Sequence, residues 1–266
     1  VIRILCVGDV VGRPGREAFA RLSGMLRQDT GVECIVVNAE NAAGGSGITS
    51  RVARELFAAG ADAVTLGDHA WKQRDVFEAF GEFSTLLRPA NFASGAPGRG
   101  ACLVELEGGL CVGVINLVGR IFMDPAECPF RAADAAIAEL SRKTSVIVVD
   151  MHAEATSEKV AMGRYLDGRV SVVFGTHTHV PTADETILPG GTAYITDVGM
   201  TGPHDSVLGR EVKPVLKKLT TGVPARFDVA TGDVRLSGVI VGVDERTGRA
   251  SDIRRVQVPL EPEVAR

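Results

Sequence analysis

Short apolar runs recur along this chain, and each is followed by residues that can bind a metal. Residues 2–7 lead into Gly8-Asp9, residues 34–38 into Ala39-Glu40-Asn41, and residues 61–66 into Gly67-Asp68-His69. Residues 146–150 lead into Met151-His152, and residues 170–174 into Gly175-Thr176-His177-Thr178-His179. Near-continuous runs of β-branched and aliphatic residues read as strands buried on both faces, and Gly175 is expected to end the last of them. Helical stretches follow the first three, so β-turn-α units, right-handed crossovers and a parallel sheet are expected. In an open α/β sheet, ligands bind beyond the carboxyl ends of the strands. Asp9, Glu40, Asn41, Asp68, His69, His152, His177 and His179 are therefore expected to converge on one rim. The fifth histidine, His204, follows no such run and reads as an ordinary imidazole.

With 266 residues, 45% of them hydrophobic and 23% charged, the chain can bury a substantial core as a single domain over 1–266. A net charge of −4 argues against non-specific nucleic-acid binding or docking on anionic membranes, both of which need a basic surface. A small nucleotide in a metal-lined pocket stays compatible with that charge. Cys6, Cys34, Cys102, Cys111 and Cys128 are odd in number and form no CxxC pair, which suits a reduced, cytoplasmic protein. The N-terminal apolar run is cut short by Gly8-Asp9 and reads as a first strand, not as a signal peptide. No apolar run is long enough to cross a bilayer, so no membrane association is expected.

Between these runs, helices are expected from Pro14 to about residue 28, over 49–59 with Gly60 as the stop, and near 72–80. Trp71 reads as core or pocket wall. Residues 101–106 and 110–117 read as a hairpin around Gly108-Gly109, and 119–130 as an irregular loop. A small cap-like segment is expected near 85–130. Helices are expected over 132–142 and near 210–219. The alternating residues 223–258, including 225–229 and 234–241, read as antiparallel strands extending a second sheet. Glu154 and Glu158 precede or open a helix, where carboxylates are favoured.

Carboxylate, amide oxygen and imidazole together suit divalent metals such as manganese, iron or zinc. None of the cysteines falls in these loops, which disfavours an iron–sulfur or cysteine-rich zinc site. The donors are too many for one catalytic ion that keeps an open position. Shared through a bridging carboxylate, they suit two ions about 3.5–4 Å apart, an arrangement used in phosphate-ester hydrolysis. Adjacent residues leaving a strand point in different directions, so one of Asp68 and His69 can bind metal while the other faces substrate. A phosphate loop is disfavoured after the first strand, because neither GxGxxG nor GxxxxGK[ST] is present.

Six motifs carry a wider resemblance: GDVVG (8–12), AENAAGG (39–45), GDH (67–69), HAEATSEK (152–159), GTHTHV (175–180) and ITDVGMTGP (195–203). With them the chain resembles, over essentially its whole length, the YmdB-like branch of the calcineurin-like metallophosphoesterases. The resemblance implies a four-layer α/β sandwich, with two mixed β-sheets flanked by helices, and a dinuclear centre of iron or manganese, with zinc or magnesium as alternatives. One ion would take Asp9, Glu40, Asn41 and His179. The other would take Glu40, Asp68, His152 and His177, with Glu40 bridging. A hydroxide held by the ions would attack phosphorus, and His69 would act as general acid.

Two positions depart from the pattern. Val11 stands where the wider superfamily has the histidine of a DxH motif, and Asp68 where the branch usually has asparagine. The implied activity is a phosphodiesterase acting on a small phosphodiester or a 2′,3′- or 3′,5′-cyclic nucleotide, in a homo-oligomer. The alternative is a metal-containing, nucleotide-binding regulatory protein with little turnover. A dinuclear amidohydrolase or lactonase would use similar ligands, but neither an early HxH nor HxHxDH is present.

Overall fold

In the computed structural model, which describes residues 1–261, β1 (Ile2–Val7) breaks at Gly8 and resumes as β2 (Asp9–Val10). Helix α1 (Gly12–Thr30) then leads to β3 (Cys34–Asn38), α2 (Ser50–Ala58) to β4 (Ala63–Thr65), and α3 (Val76–Glu82) to β5 (Leu86–Leu87). The chain crosses to a second sheet through the hairpin β6 (Ala101–Glu105) and β7 (Cys111–Val118). There α4 (Pro129–Leu140) leads to β8 (Ile147–His152) and α5 (Thr156–Leu166) to β9 (Val172–Thr176). β10 (Thr186–Ile187), β11 (Ala193–Ile195), β12 (Met200–Asp205), α6 (Val212–Thr221), β13 (Gly232–Val243) and β14 (Ala250–Pro259) follow.

Among the described residues the first sheet has the order β2-β12-β13-β1-β3-β4-β5, with β14 paired to β13, and the second the order β10-β11-β9-β8-β7-β6. β1, β3, β4 and β5 pair in parallel, as do β7, β8, β9 and β11. The alternation of each strand then builds three apolar layers. Ile4, Cys6, Cys34 and Val36 face Val114, Val148, Val172 and Phe174 between the sheets. On the outer face of the first sheet, Leu5, Val7, Ile35 and Val37 meet Phe19 and Leu22 of α1 and Val52 and Leu56 of α2. On that of the second, Ile115, Ile147 and Val149 meet Ile137 of α4 and Met162 and Leu166 of α5. The result is the expected four-layer α/β sandwich, with Cys6 and Cys34 serving as small apolar residues in its middle.

Several local expectations are corrected. The antiparallel tail joins the first sheet, not the second: β13 lies between β1 and β12. Leu236 to Val243 are buried throughout, and a strand covered on both faces belongs inside a sheet. Residues 225–229 form no strand, only a single bridge from Val229 to Arg210. α3 starts at Val76, later than expected, because residues 69–75 form turns and bends that pack Trp71 against Phe77, Phe80 and Phe92. Residues 101–105 and 111–118, by contrast, form the expected hairpin, at the edge of the second sheet. Gly175 lies within β9 instead of ending it. A Cβ there would come to 1.8 Å from the Thr196 carbonyl oxygen, so its role is close packing of neighbouring strands.

Candidate metal centre

Parallel register brings the carboxyl ends of β3 and β4 in one sheet beside those of β8 and β9 in the other. Donor atoms of Glu40, Asp68, His152 and His177 all lie within 4.8 Å of one another. His152 Nε2 is 3.2 Å from both Glu40 Oε2 and Asp68 Oδ1, and His177 Nδ1 is 3.3 Å from Asp68 Oδ1. Gly67 makes this approach possible, since a Cβ there would sit 2.2 Å from His152 Nε2 and 2.3 Å from Glu40 Oε2. Burial alone would lower the His152 pKa, but Glu40 and Asp68 outweigh it and push it well above the usual histidine range. Burial alone would raise Glu40 and Asp68, yet the neighbouring imidazoles hold both carboxyls below their ordinary values.

Asp9, Asn41 and His179 adjoin this cluster. Asp9, on β2, accepts the His177 backbone N–H at Oδ2 (3.1 Å), and its Oδ1 lies 3.8 Å from His179 Nε2. Asp9 Oδ1 is buried and has no hydrogen-bond partner among the described residues. Burial raises its pKa, against the pull of His179 and His152. Asn41 links the groups through its amide: Nδ2 lies 3.3 Å from Glu40 Oε1 and 3.1 Å from His179 Nε2, while Oδ1 lies 2.9 Å from His69 Nδ1. A half-turn of the amide would offer Oδ1 to the cluster instead. Val11, buried and apolar, lines the same cleft and offers no donor.

His69 sits on the rim. Its backbone N–H donates to Glu40 Oε2 (3.0 Å) and its ring is about a third exposed. Nε2, 3.6 Å from Asp68 Oδ2, is beyond hydrogen-bond reach of that carboxylate. His69, Glu40, Asn41, His177 and His179 line a cleft of about 330 Å³, closed on the other side by Leu208 and Arg210. The structure thus assembles all eight expected residues, and leaves His204 on β12, half-buried and away from that lining.

Residues hidden inside apolar runs complete the centre. Asp150, fully buried beneath it, accepts Thr65 Oγ1 (2.5 Å), Asn38 Nδ2 (3.0 Å) and Thr176 Oγ1 (2.7 Å). Burial raises its pKa to about 6, although His152 and those donors pull it the other way. With its proton given to Asp150, Thr176 Oγ1 is left to accept from His152 Nδ1 (2.8 Å), which directs Nε2 into the cluster. β8 and β9 fix this pairing by setting His152 opposite Thr176. A buried ion pair, Lys159 Nζ to Asp197 Oδ2 (2.7 Å), braces the histidine turn, because the same oxygen accepts Thr178 N–H (3.2 Å) and Oγ1 (2.7 Å). The brace matters because His177 (φ 92°) and His179 (φ 66°) both adopt left-handed backbone, which costs a non-glycine residue about 1–2 kcal/mol. Lys159 and Asp197 lie within the motifs 152–159 and 195–203 and Asp150 closes an apolar run, but nothing in the sequence shows what each of them touches.

Carboxylates from Asp9, Glu40 and Asp68 crowd around imidazole nitrogens, and one buried oxygen goes unpaired. Such a donor set fits divalent cations, whose charge would offset that of the carboxylates.

A four-layer sandwich with carboxylates and imidazoles at one strand-end rim is consistent with the metallophosphoesterase class that the sequence motifs resemble. Residues 5–256 match the YmdB-like protein family, and the chain belongs to it. It is 47% identical to a 2′,3′-cyclic-nucleotide 2′-phosphodiesterase of Bacillus subtilis (strain 168), over 97% of each chain. Its fold superposes on a hypothetical protein from Thermus thermophilus with a TM-score of 0.91 and 42% identity, covering 98% of this chain and all of the other. A phosphatase described as novel, from Mycoplasma pneumoniae, gives 0.90 and 32%, covering 97% of this chain and 93% of that one.

Proposed function

We propose that the protein is a metal-dependent phosphodiesterase whose substrate is a 2′,3′-cyclic nucleotide. The observation that carries this reading is the convergence of Glu40, Asp68, His152 and His177, two of which, Glu40 and His177, line a cleft together with His69. The activity named for the Bacillus relative supports the choice of ester. Glu40, Asp68, His152 and His177 would hold one divalent ion, and Asp9, Asn41 and His179, sharing Glu40, a second. Two such ions act as Lewis acids on a phosphoryl group and acidify water.

The chain's own side chains do the rest. Thr176 and Asp150 keep His152 in the tautomer that presents Nε2. Asp9 and the Lys159–Asp197 pair hold the His177-Thr178-His179 turn in place. His69 Nδ1 is engaged with Asn41, and its Nε2 is free to reach the phosphate and pass a proton to the departing ribose oxygen. A cleft of about 330 Å³ is within the size range of small-molecule sites.

The test is a panel of 2′,3′- and 3′,5′-cyclic nucleotides with added Mn²⁺. The 2′,3′ esters should be cleaved and cleavage should cease with chelator. His69→Ala should lower turnover by about 10²- to 10⁴-fold while metal content stays at the wild-type level. Equal loss of metal and turnover would move His69 into the ligand set, and tight nucleotide binding without any cleavage would favour a regulatory role.

A further inference from the structure

Glu154 and Glu158 are expected from their positions to serve the start of a helix; Glu158 does lie in the first turn of α5, and Glu154 does not. Glu158 accepts the backbone N–H groups of Arg120 and Ile121, each at 3.0 Å, and so ties the 119–128 loop to α5. Glu154 turns toward the centre: its Oε2 lies 3.1 Å from His177 Nε2. The other nitrogen of that ring, Nδ1, lies 3.0 Å from His152 Nε2 and 3.3 Å from Asp68 Oδ1. The two nitrogens of an imidazole point in divergent directions. A group on Nε2 therefore cannot join the cluster through that ring, and acts on it only by orienting the ring and shifting its charge.

The histidines of the centre are treated differently in this respect. His152 gives its outer nitrogen to the Thr176 hydroxyl (2.8 Å) and His179 to the Leu208 carbonyl (3.1 Å), both neutral acceptors. His177 alone among these three has a carboxylate there. Glu154 reaches His177 from the solvent side, with 48% of its side chain exposed.

We propose that Glu154 is a positioning residue of the metal centre. Its carboxylate accepts the Nε2–H of His177 and fixes the tautomer that presents Nδ1 to the cluster, on the Asp68 side. Carboxylate–imidazole–metal relays of this kind are worth about 10- to 100-fold in metal affinity. The inference rests on the metal reading of the centre and adds to it a difference between the two ions, since His177 belongs to only one.

The experiment is a Mn²⁺ titration, by calorimetry, of chelator-stripped wild type, Glu154→Gln and Glu154→Ala, with ¹⁵N spectra of the histidine rings of each. Glu154→Ala should bind one of its two equivalents about 10- to 100-fold more weakly and the other unchanged. Glu154→Gln keeps an oxygen acceptor without the charge and should fall between. The Nε2–H form of His177 should lose population in Glu154→Ala. Wild-type affinity for both equivalents in both variants, with only KM altered, would overturn the proposal and make Glu154 a substrate contact. Wild type that takes up no manganese would instead remove the metal reading on which the proposal stands.

Discussion

Glu40, Asp68, His152 and His177 are carried by the ends of β3, β4, β8 and β9, neighbours in their sheets, over the buried layer of Asn38, Thr65, Asp150 and Thr176. Asp9, Asn41 and His179 have a different footing. Asp9 rides on a two-residue strand paired with β12, Asn41 on the loop after β3, and His179 on a left-handed turn held by the Leu208 carbonyl. Their spacing differs accordingly: Asp9 Oδ1 and His179 Nε2 stand 3.8 Å apart, whereas His152 Nε2 is 3.2 Å from two carboxylates. Glu40, Asp68 and His177 also lie on turns or bends just past their strands, so what sets this sheet-borne half apart is its closer spacing and the buried layer of strand residues beneath it. Ligands fixed before binding lose less freedom on binding, so the sheet-borne half should fill with metal first.

Glu40 belongs to both halves, so its loss should erase the distinction. Glu40→Gln is expected to release both equivalents of manganese and to lower phosphodiester hydrolysis on the order of 10³-fold. Metal analysis after gel filtration, alongside a bis-p-nitrophenyl phosphate assay, reads both. Retention of two ions would show that Glu40 does not bridge.

Lys159→Met removes one member of the buried pair that braces the histidine turn. Leaving Asp197 charged and alone should cost about 3–5 kcal/mol in urea unfolding, and Lys159→Met with Asp197→Leu should regain much of it. A single variant as stable as wild type would mean that the turn needs no brace.

His179→Ala should weaken one equivalent of metal by at least about 10-fold and leave the other unchanged, as read by calorimetry. Equal weakening of both would collapse the two halves into one. The smallest effect is expected from Asp68→Asn. It keeps an oxygen donor but lowers the charge of the sheet-borne half, so that half should bind about 10-fold more weakly. An unchanged affinity would show that the carboxylate charge at this position is offset by His152 and His177 alone.

The residues of the centre were legible because each follows an apolar run. A strand ends where its side chains stop being buried, and polar groups there stand out against the run before them. Asp150 and Thr176 were not legible for the opposite reason: both lie within buried strands, and only the pairing of β8 with β9 shows what they touch. Glu154 was misread because a carboxylate before a helix has a local use, while its contact with His177 depends on how two strand-end loops meet. The insertion of β13 between β1 and β12 was hidden as well. Its alternation and hydrophobicity announce an antiparallel strand, but partners more than two hundred residues away in sequence, such as Ile4 with Val241, leave no local mark.

The most direct test of the central claim is a stepwise Mn²⁺ titration of the metal-free protein, with hydrolysis of a 2′,3′-cyclic nucleotide followed at each step. Two equivalents should bind, the tighter one without turnover, and cleavage should rise only as the second is taken up. Full activity at a single bound equivalent, or two bound ions with no cleavage, would contradict it.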